Sequence, residues 1–394
     1  MEVIRNARLV SFLTEGYDGE TADLLLEDGK ISRIVPTGTI PASVPGYDAA
    51  GKTVLPGMID LHMHLYFFTA NFDKLAVESL DPNRVILHAA EYAEEMLRQG
   101  FTTVRDVGNQ FYAGILMREM VKAGHVKGPR IFAAGKCISP SANGNETFPG
   151  LYAECNDPAS ITRICREESA KGVDLLKYMA TGAVANARGI PGALITTREE
   201  LQAVKDAADA LYLPVAVHCH GKAGIVLCAE VGVTTIEHAS DIDAECTELL
   251  LKHGGRTAIV PTLGPIGLMN AGLLGEAVAA KIDPLDQQQE HHPMVEANRA
   301  GVLTGWGTDV SLDYFAANPG SEFLLRKLRG YTPEEMLCQA TRNSAKILGL
   351  EDRLGTIAEG KLADLVIVDG KPDEEINVMT KLPAAVYREG VRYY

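Results

Sequence analysis

A chain of 394 residues, 46% hydrophobic and 23% charged, has an ordinary globular composition and is long enough to bury a large core. Its net charge of −15, from 52 acidic against 37 basic residues, disfavours nucleic acids and anionic membranes as partners. Seven cysteines without a CxxC pair, and no apolar run of the ~18 residues needed to span a bilayer, point to a soluble cytoplasmic protein with reduced thiols.

Residues 1–55 carry short strand patterns broken by turn signals. Leu24-Leu25-Leu26 and Ile31-Ser32-Arg33-Ile34-Val35 flank Asp28-Gly29, a strong hairpin signal. Pro36, Pro41 and Pro45 mark an irregular connection after it. The C-terminus has the same character: Leu365-Val366-Ile367-Val368 leads into Asp369-Gly370, and Ala384-Ala385-Val386-Tyr387 into Arg388-Glu389-Gly390-Val391. Residues 1–56 and 354–394 are therefore expected to form one small composite β domain, interrupted by residues 57–353.

Within that interruption, strand-like and helical patterns alternate. Apolar runs end at His62-Met63-His64, at Arg105-Asp106, and in Arg130-Ile131-Phe132-Ala133-Ala134. Others are Asp174–Met179, Pro214–His220, Thr234–His238, Thr257–Val260 and Val302–Trp306. Near-continuous apolar runs suit strands buried on both faces. Asn83 to Gln99 has helical spacing, Thr197-Arg198-Glu199-Glu200 opens a helix running to Tyr212 as a capping box, and Thr332-Pro333-Glu334-Glu335 repeats that signal. The class is α/β, and eight such units argue for a (β/α)₈ TIM barrel. Long loops at 138–157 and 182–195 follow barrel strands, on the side where such barrels carry active sites. The segment 264–290 has no assignable pattern.

Titratable residues gather at the strand ends. His62 and His64 end the first strand; if that run is a strand, their i, i+2 spacing puts them on one face. Lys177 interrupts the fourth, His218 and His220 end the fifth, His238 ends the sixth, and Asp309 follows the eighth. A single strand-end histidine is more often a polar cap on the core, but five of ten histidines at such positions is hard to explain that way. Asp309 could cap a following helix. Lys177 could be a surface residue, yet Leu175, Leu176 and Met179 around it argue for burial, which is costly for a cation. The other histidines, His88, His125, His253, His291 and His292, read as surface or helix residues.

The stretches Val54–His64, Lys177, Val217-His218-Cys219-His220-Gly221, Ile236-Glu237-His238, Gly307-Thr308-Asp309 and Gly355–Val366 together resemble the amidohydrolase superfamily over essentially the whole chain. The resemblance is to its branch of binuclear-zinc dipeptidases and N-acyl amino acid hydrolases, related to prolidases and ochratoxinase. It implies a barrel with a small β-sandwich built from both chain ends, and two divalent metal ions, zinc by preference. His62, His64 and Asp309 would hold one ion and His218 and His238 the other. Lys177, carboxylated by CO₂, would bridge them. Spacing alone does not choose between His218 and His220; the family pattern favours His218, leaving His220 beside the substrate. The implied reaction is hydrolysis of an amide in a dipeptide or N-acyl amino acid, by a bridging hydroxide with Asp309 as general acid and base and His220 on the carbonyl oxygen. Some prolidase-like relatives have a tyrosine where His220 stands, which counts against strict Xaa-Pro specificity. Tyr178 and Arg188 are further candidates for contacting this small-molecule substrate, and Arg105 is a candidate for its carboxylate or for a structural role. A homo-oligomer is expected. Lactone or ester hydrolysis at the same centre is the alternative; deamination of a cyclic amidine is disfavoured, because Gly221 stands three residues after His218 where mononuclear deaminases carry glutamate.

Overall fold

The computed structural model describes residues 1–394 except Ala187, His253 and residues 287–291. His253 and His291 thus lie outside the described residues.

Both ends of the chain share one eight-stranded sheet. Lys52–Pro56 pairs in parallel with Glu2–Leu9 on one side and antiparallel with Leu365–Asp369 on the other, Leu365 facing Pro56 and Asp369 facing Lys52. Thr21–Glu27 and Lys30–Pro36 form the expected hairpin, with Asp28 and Gly29 at φ 49° and 77°. Positive φ at both central residues is what a type I′ turn requires. Glu389 and Gly390, at φ 49° and 71°, repeat it between Ala385–Arg388 and Val391–Arg392. Ile31 and Tyr387, from opposite ends of the sheet, share one buried cluster with Ile4, Leu24, Val54 and Leu365. The sheet therefore folds over on itself around its own core.

The barrel begins with Met58–Met63, Phe101–Asp106 and Arg130–Ala133, a parallel three-stranded sheet. The third strand breaks and resumes as Cys137–Ser139, which pairs with the fourth strand, Leu176–Met179. Val215–Cys219, Thr235–His238 and Ala258–Val260 follow in parallel. Residues 302–309 close the ring by hydrogen bonds rather than as a regular strand: Ile259 N donates to Leu303 O (2.9 Å), Leu61 N to Trp306 O (2.7 Å) and Asp309 N to His62 O (3.0 Å). Gly305 and Gly307 permit this close approach. A Cβ at Gly305 would lie 2.7 Å from Leu61 Cδ1, and one at Gly307 would lie 2.7 Å from His62 Cβ.

Helices Pro82–Arg98, Arg198–Leu211 and Pro333–Cys338 occupy the expected positions, and Thr197 and Thr332 each complete a capping box. The segment that the sequence left unassigned contains two helices, Gly264–Asn270 and Glu276–Asp286. No helix among the described residues is long and apolar enough to cross a membrane.

Candidate metal centre

The strand ends bring two donor groups together. His62, His64 and Asp309 each offer one atom within 4.8 Å of the others, and so do His218, His220 and His238. The groups adjoin, since the His62 and His238 ring centroids are 4.7 Å apart. Both of the histidines between which spacing could not choose, His218 and His220, enter the second group.

Hydrogen bonds fix how the first group faces. His64 Nδ1 lies 2.6 Å from Gly108 O, a pure acceptor, so Nδ1 carries the proton and Nε2 is bare. His62 Nδ1 lies 2.7 Å from Glu237 Oε2. The Nε2 atoms of His62 and His64 then stand 3.9 and 3.8 Å from Asp309 Oδ1, too far for hydrogen bonds. Such convergent bare donors, oriented by hydrogen bonds behind them, suit a metal ion. In the second group, His238 Nδ1 meets Thr262 Oγ1 at 2.7 Å and its Nε2 lies 2.9 Å from His218 Nδ1. His220 Nδ1 meets Ser240 Oγ at 2.8 Å, and its ring stacks on that of His238.

Burial sets the protonation states. It pushes His64 and His220 down to about 4, with the Lys177 cation adding to the effect, and it holds His62, His218 and His238 well below the usual imidazole range. All five are neutral near pH 7, the form that binds metal. Burial raises Asp309 to about 6, against the pull of Lys177. Lys177 is 2% exposed, its buried Nζ has no hydrogen-bond partner, and burial lowers its pKa despite nearby Glu237 and Asp309. An orphaned buried amine beside two groups of potential metal donors fits a metal centre.

Behind these residues lies a network that the sequence did not reveal. Glu237 accepts from Arg105 Nη2 (2.7 Å) and from Thr235 Oγ1 while holding His62. Arg105 also donates to Leu61 O (2.6 Å), so its role is structural and it does not contact substrate. The only sequence signal was a glutamate inside an apolar strand. Asp60 accepts from His62 N (2.9 Å) and Thr308 Oγ1 (2.7 Å), tying the first strand to the closing segment. His238, Ala239 and Asp309 have φ of 70°, 53° and 51°, a left-handed backbone that costs of order 1–3 kcal/mol per non-glycine residue and clusters at functional sites.

Three expectations are corrected. Tyr178 does not face the cavity: it is fully buried on the other face of its strand, and its hydroxyl meets Thr196 Oγ1 at 2.6 Å. Arg188 is exposed and pairs with Glu146 instead of lining the cavity. His292 is not a surface residue; it is buried, accepts from Met294 N (3.2 Å) as the N-cap of Pro293–Ala300, and lines the cavity. The long loops meet above the site at Asn186. Tyr152 Oη donates to its Oδ1 (3.1 Å), and Lys281 Nζ donates to its carbonyl (2.7 Å).

The fold and sequence have known counterparts. The chain is similar to a Xaa-Pro dipeptidase with methionine bound in the active site (28% identity, TM-score 0.88, 100% of this chain and 99% of that one). It is similar to a prolidase complexed with N-methylphosphonate-L-proline (28%, TM-score 0.87, 99% and 98%). Among curated sequences it is 26% identical to ochratoxinase of Aspergillus niger over 369 residues, 84% of this chain and 73% of that protein. It is likewise 26% identical to imidazolonepropionase of Shewanella woodyi over 397 residues, 88% and 86%. Residues 53–391, which hold every barrel strand and both donor groups, match the amidohydrolase family, and the chain belongs to that family.

Proposed function

We propose that this family member, a hydrolase acting on carbon–nitrogen bonds, cleaves the amide bond of a dipeptide or N-acyl amino acid at a centre for two divalent metal ions. The observation that carries the reading is the pair of adjoining donor groups beside an unpartnered buried amine. His62, His64 and Asp309 would hold one ion, and His218 and His238 the other. Zinc suits imidazole and carboxylate donors. Burial favours the neutral Lys177 amine, the form that can bond to CO₂. The N–C bond forms, the nitrogen releases a proton, and an anionic oxygen donor replaces the orphaned amine.

Ions in such a centre lower the pKa of water and polarise a carbonyl. Asp309, a carboxylate beside the His62 and His64 imidazoles, can accept the proton of the attacking water and return it to the leaving nitrogen. His220 is anchored by Ser240. In the tautomer where Ser240 donates to Nδ1, Nε2 carries a proton and can donate to the developing oxyanion. The test is a hydrolysis screen of zinc-loaded protein against dipeptides, N-acyl amino acids and lactones. Turnover of a dipeptide or N-acyl amino acid is expected; turnover of lactones alone, or of nothing, would overturn the reading.

A further inference from the structure

Resting on the amide-hydrolase reading, we infer that the substrate carries a bulky, uncharged apolar group, aromatic or medium-chain aliphatic, on at least one side of the scissile bond. The cavity above the donor groups is built for such a group. One wall is aromatic: Phe72 stacks on Phe67 at 5.8 Å and meets Phe148 edge-on at 5.8 Å. Another comes from the two helices after the seventh strand and the turn joining them, where Ile266, Leu274 and Val278 are half-buried and line the cavity. Apart from Lys177 and Asp309 at the centre, Arg329 is the only Lys, Arg, Asp or Glu lining it among the described residues. Half-exposed apolar side chains around a concave site gain by being covered with ligand, whereas a charged group moved against them loses hydration.

The wall also has a sequence logic. Residues 264–282 show no clear amphipathic period: Leu268 and Ile282 are buried and Ile266 and Val278 half-buried, yet all four line the cavity. A segment of this kind reads neither as a surface helix nor as a core helix.

Two substrate series test the inference on the zinc-loaded protein: N-acylglycines from acetyl to octanoyl, and N-acetyl derivatives of glycine, alanine, leucine and phenylalanine. In at least one series kcat/KM should rise, by about fourfold per methylene until the wall is covered. A flat response in both series would overturn the inference. Calorimetric binding of straight-chain carboxylates from acetate to octanoate separates this failure from that of the amide reading. Affinity that rises with length without turnover of any amide would keep the apolar subsite and reject the amide chemistry; affinity independent of length would reject the subsite. Ile266→Asn and Val278→Asn, at half-buried positions, should each flatten the length dependence severalfold. Unchanged dependence in both would refute the assignment of that wall.

Discussion

Replacing Glu237 by glutamine removes one charge and leaves the shape. The carboxylate is fully buried and takes hydrogen bonds from His62, Arg105 and Thr235, while the Arg105 side chain is 3% exposed. An amide oxygen can answer only part of that demand, and the new NH₂ group must face a donor. Breaking a buried ion pair by changing one partner costs about 3–5 kcal/mol, because the remaining charge is uncompensated. The same change frees the His62 ring, and loss of a partner behind a ligand typically weakens metal binding about 10–100-fold. Denaturant unfolding of the metal-free protein measures the first quantity, and competition with a chelator measures the second. Adding Arg105→Met to Glu237→Gln should recover part of the stability, since the unpaired cation is then gone. A glutamine variant with wild-type stability and wild-type zinc affinity would refute the account.

Other outcomes follow from neighbouring features. Asp309→Asn should retain most bound zinc but lose about 10²–10⁴ in kcat, a proton-transfer effect read by steady-state kinetics beside metal analysis. Lys177→Ala should lower the zinc content per chain, measured by elemental analysis; unchanged stoichiometry would remove the lysine from the centre. Burial raises the Glu237 carboxyl, but Arg105 and His62 pull it further down, to about 2 from an ordinary 4.5. A depressed acid contributes stability that is present above pH 4.5 and lost as pH falls towards 2. The metal-free wild type should therefore lose stability more steeply through that window than Glu237→Gln, and equal slopes would refute the assignment. Gly307→Ala sets a Cβ 2.7 Å from that of His62 and should destabilise by about 1–3 kcal/mol while weakening zinc binding.

Much of the barrel was legible because strands buried on both faces write themselves as apolar runs, and the His62–His64 spacing survives any error in their boundaries. The eighth stave was legible as a run of residues but not as a way of pairing, since Gly305 and Gly307 let it lie closer than a regular strand. Tyr178 shows where the residues themselves held the answer: if Lys177 points into the barrel, strand alternation sends its neighbour outward. Arg188 sits in a loop, where no period says which way a side chain turns. His292 caps a helix with an imidazole, a residue type that gives no ordinary capping signal. Glu237 was hidden because its partners, Arg105 and His62, come from strands far away in sequence.

The pairing of Lys52–Pro56 with Leu365–Asp369 bears on how the chain is made. The N-terminal strands leave the ribosome first, yet one flank of Lys52–Pro56 has no partner until the whole barrel has been synthesised. During that interval the strand presents open backbone donors and acceptors to any other extended chain. The strand that leads into the barrel therefore completes its pairing only after the barrel itself has been made.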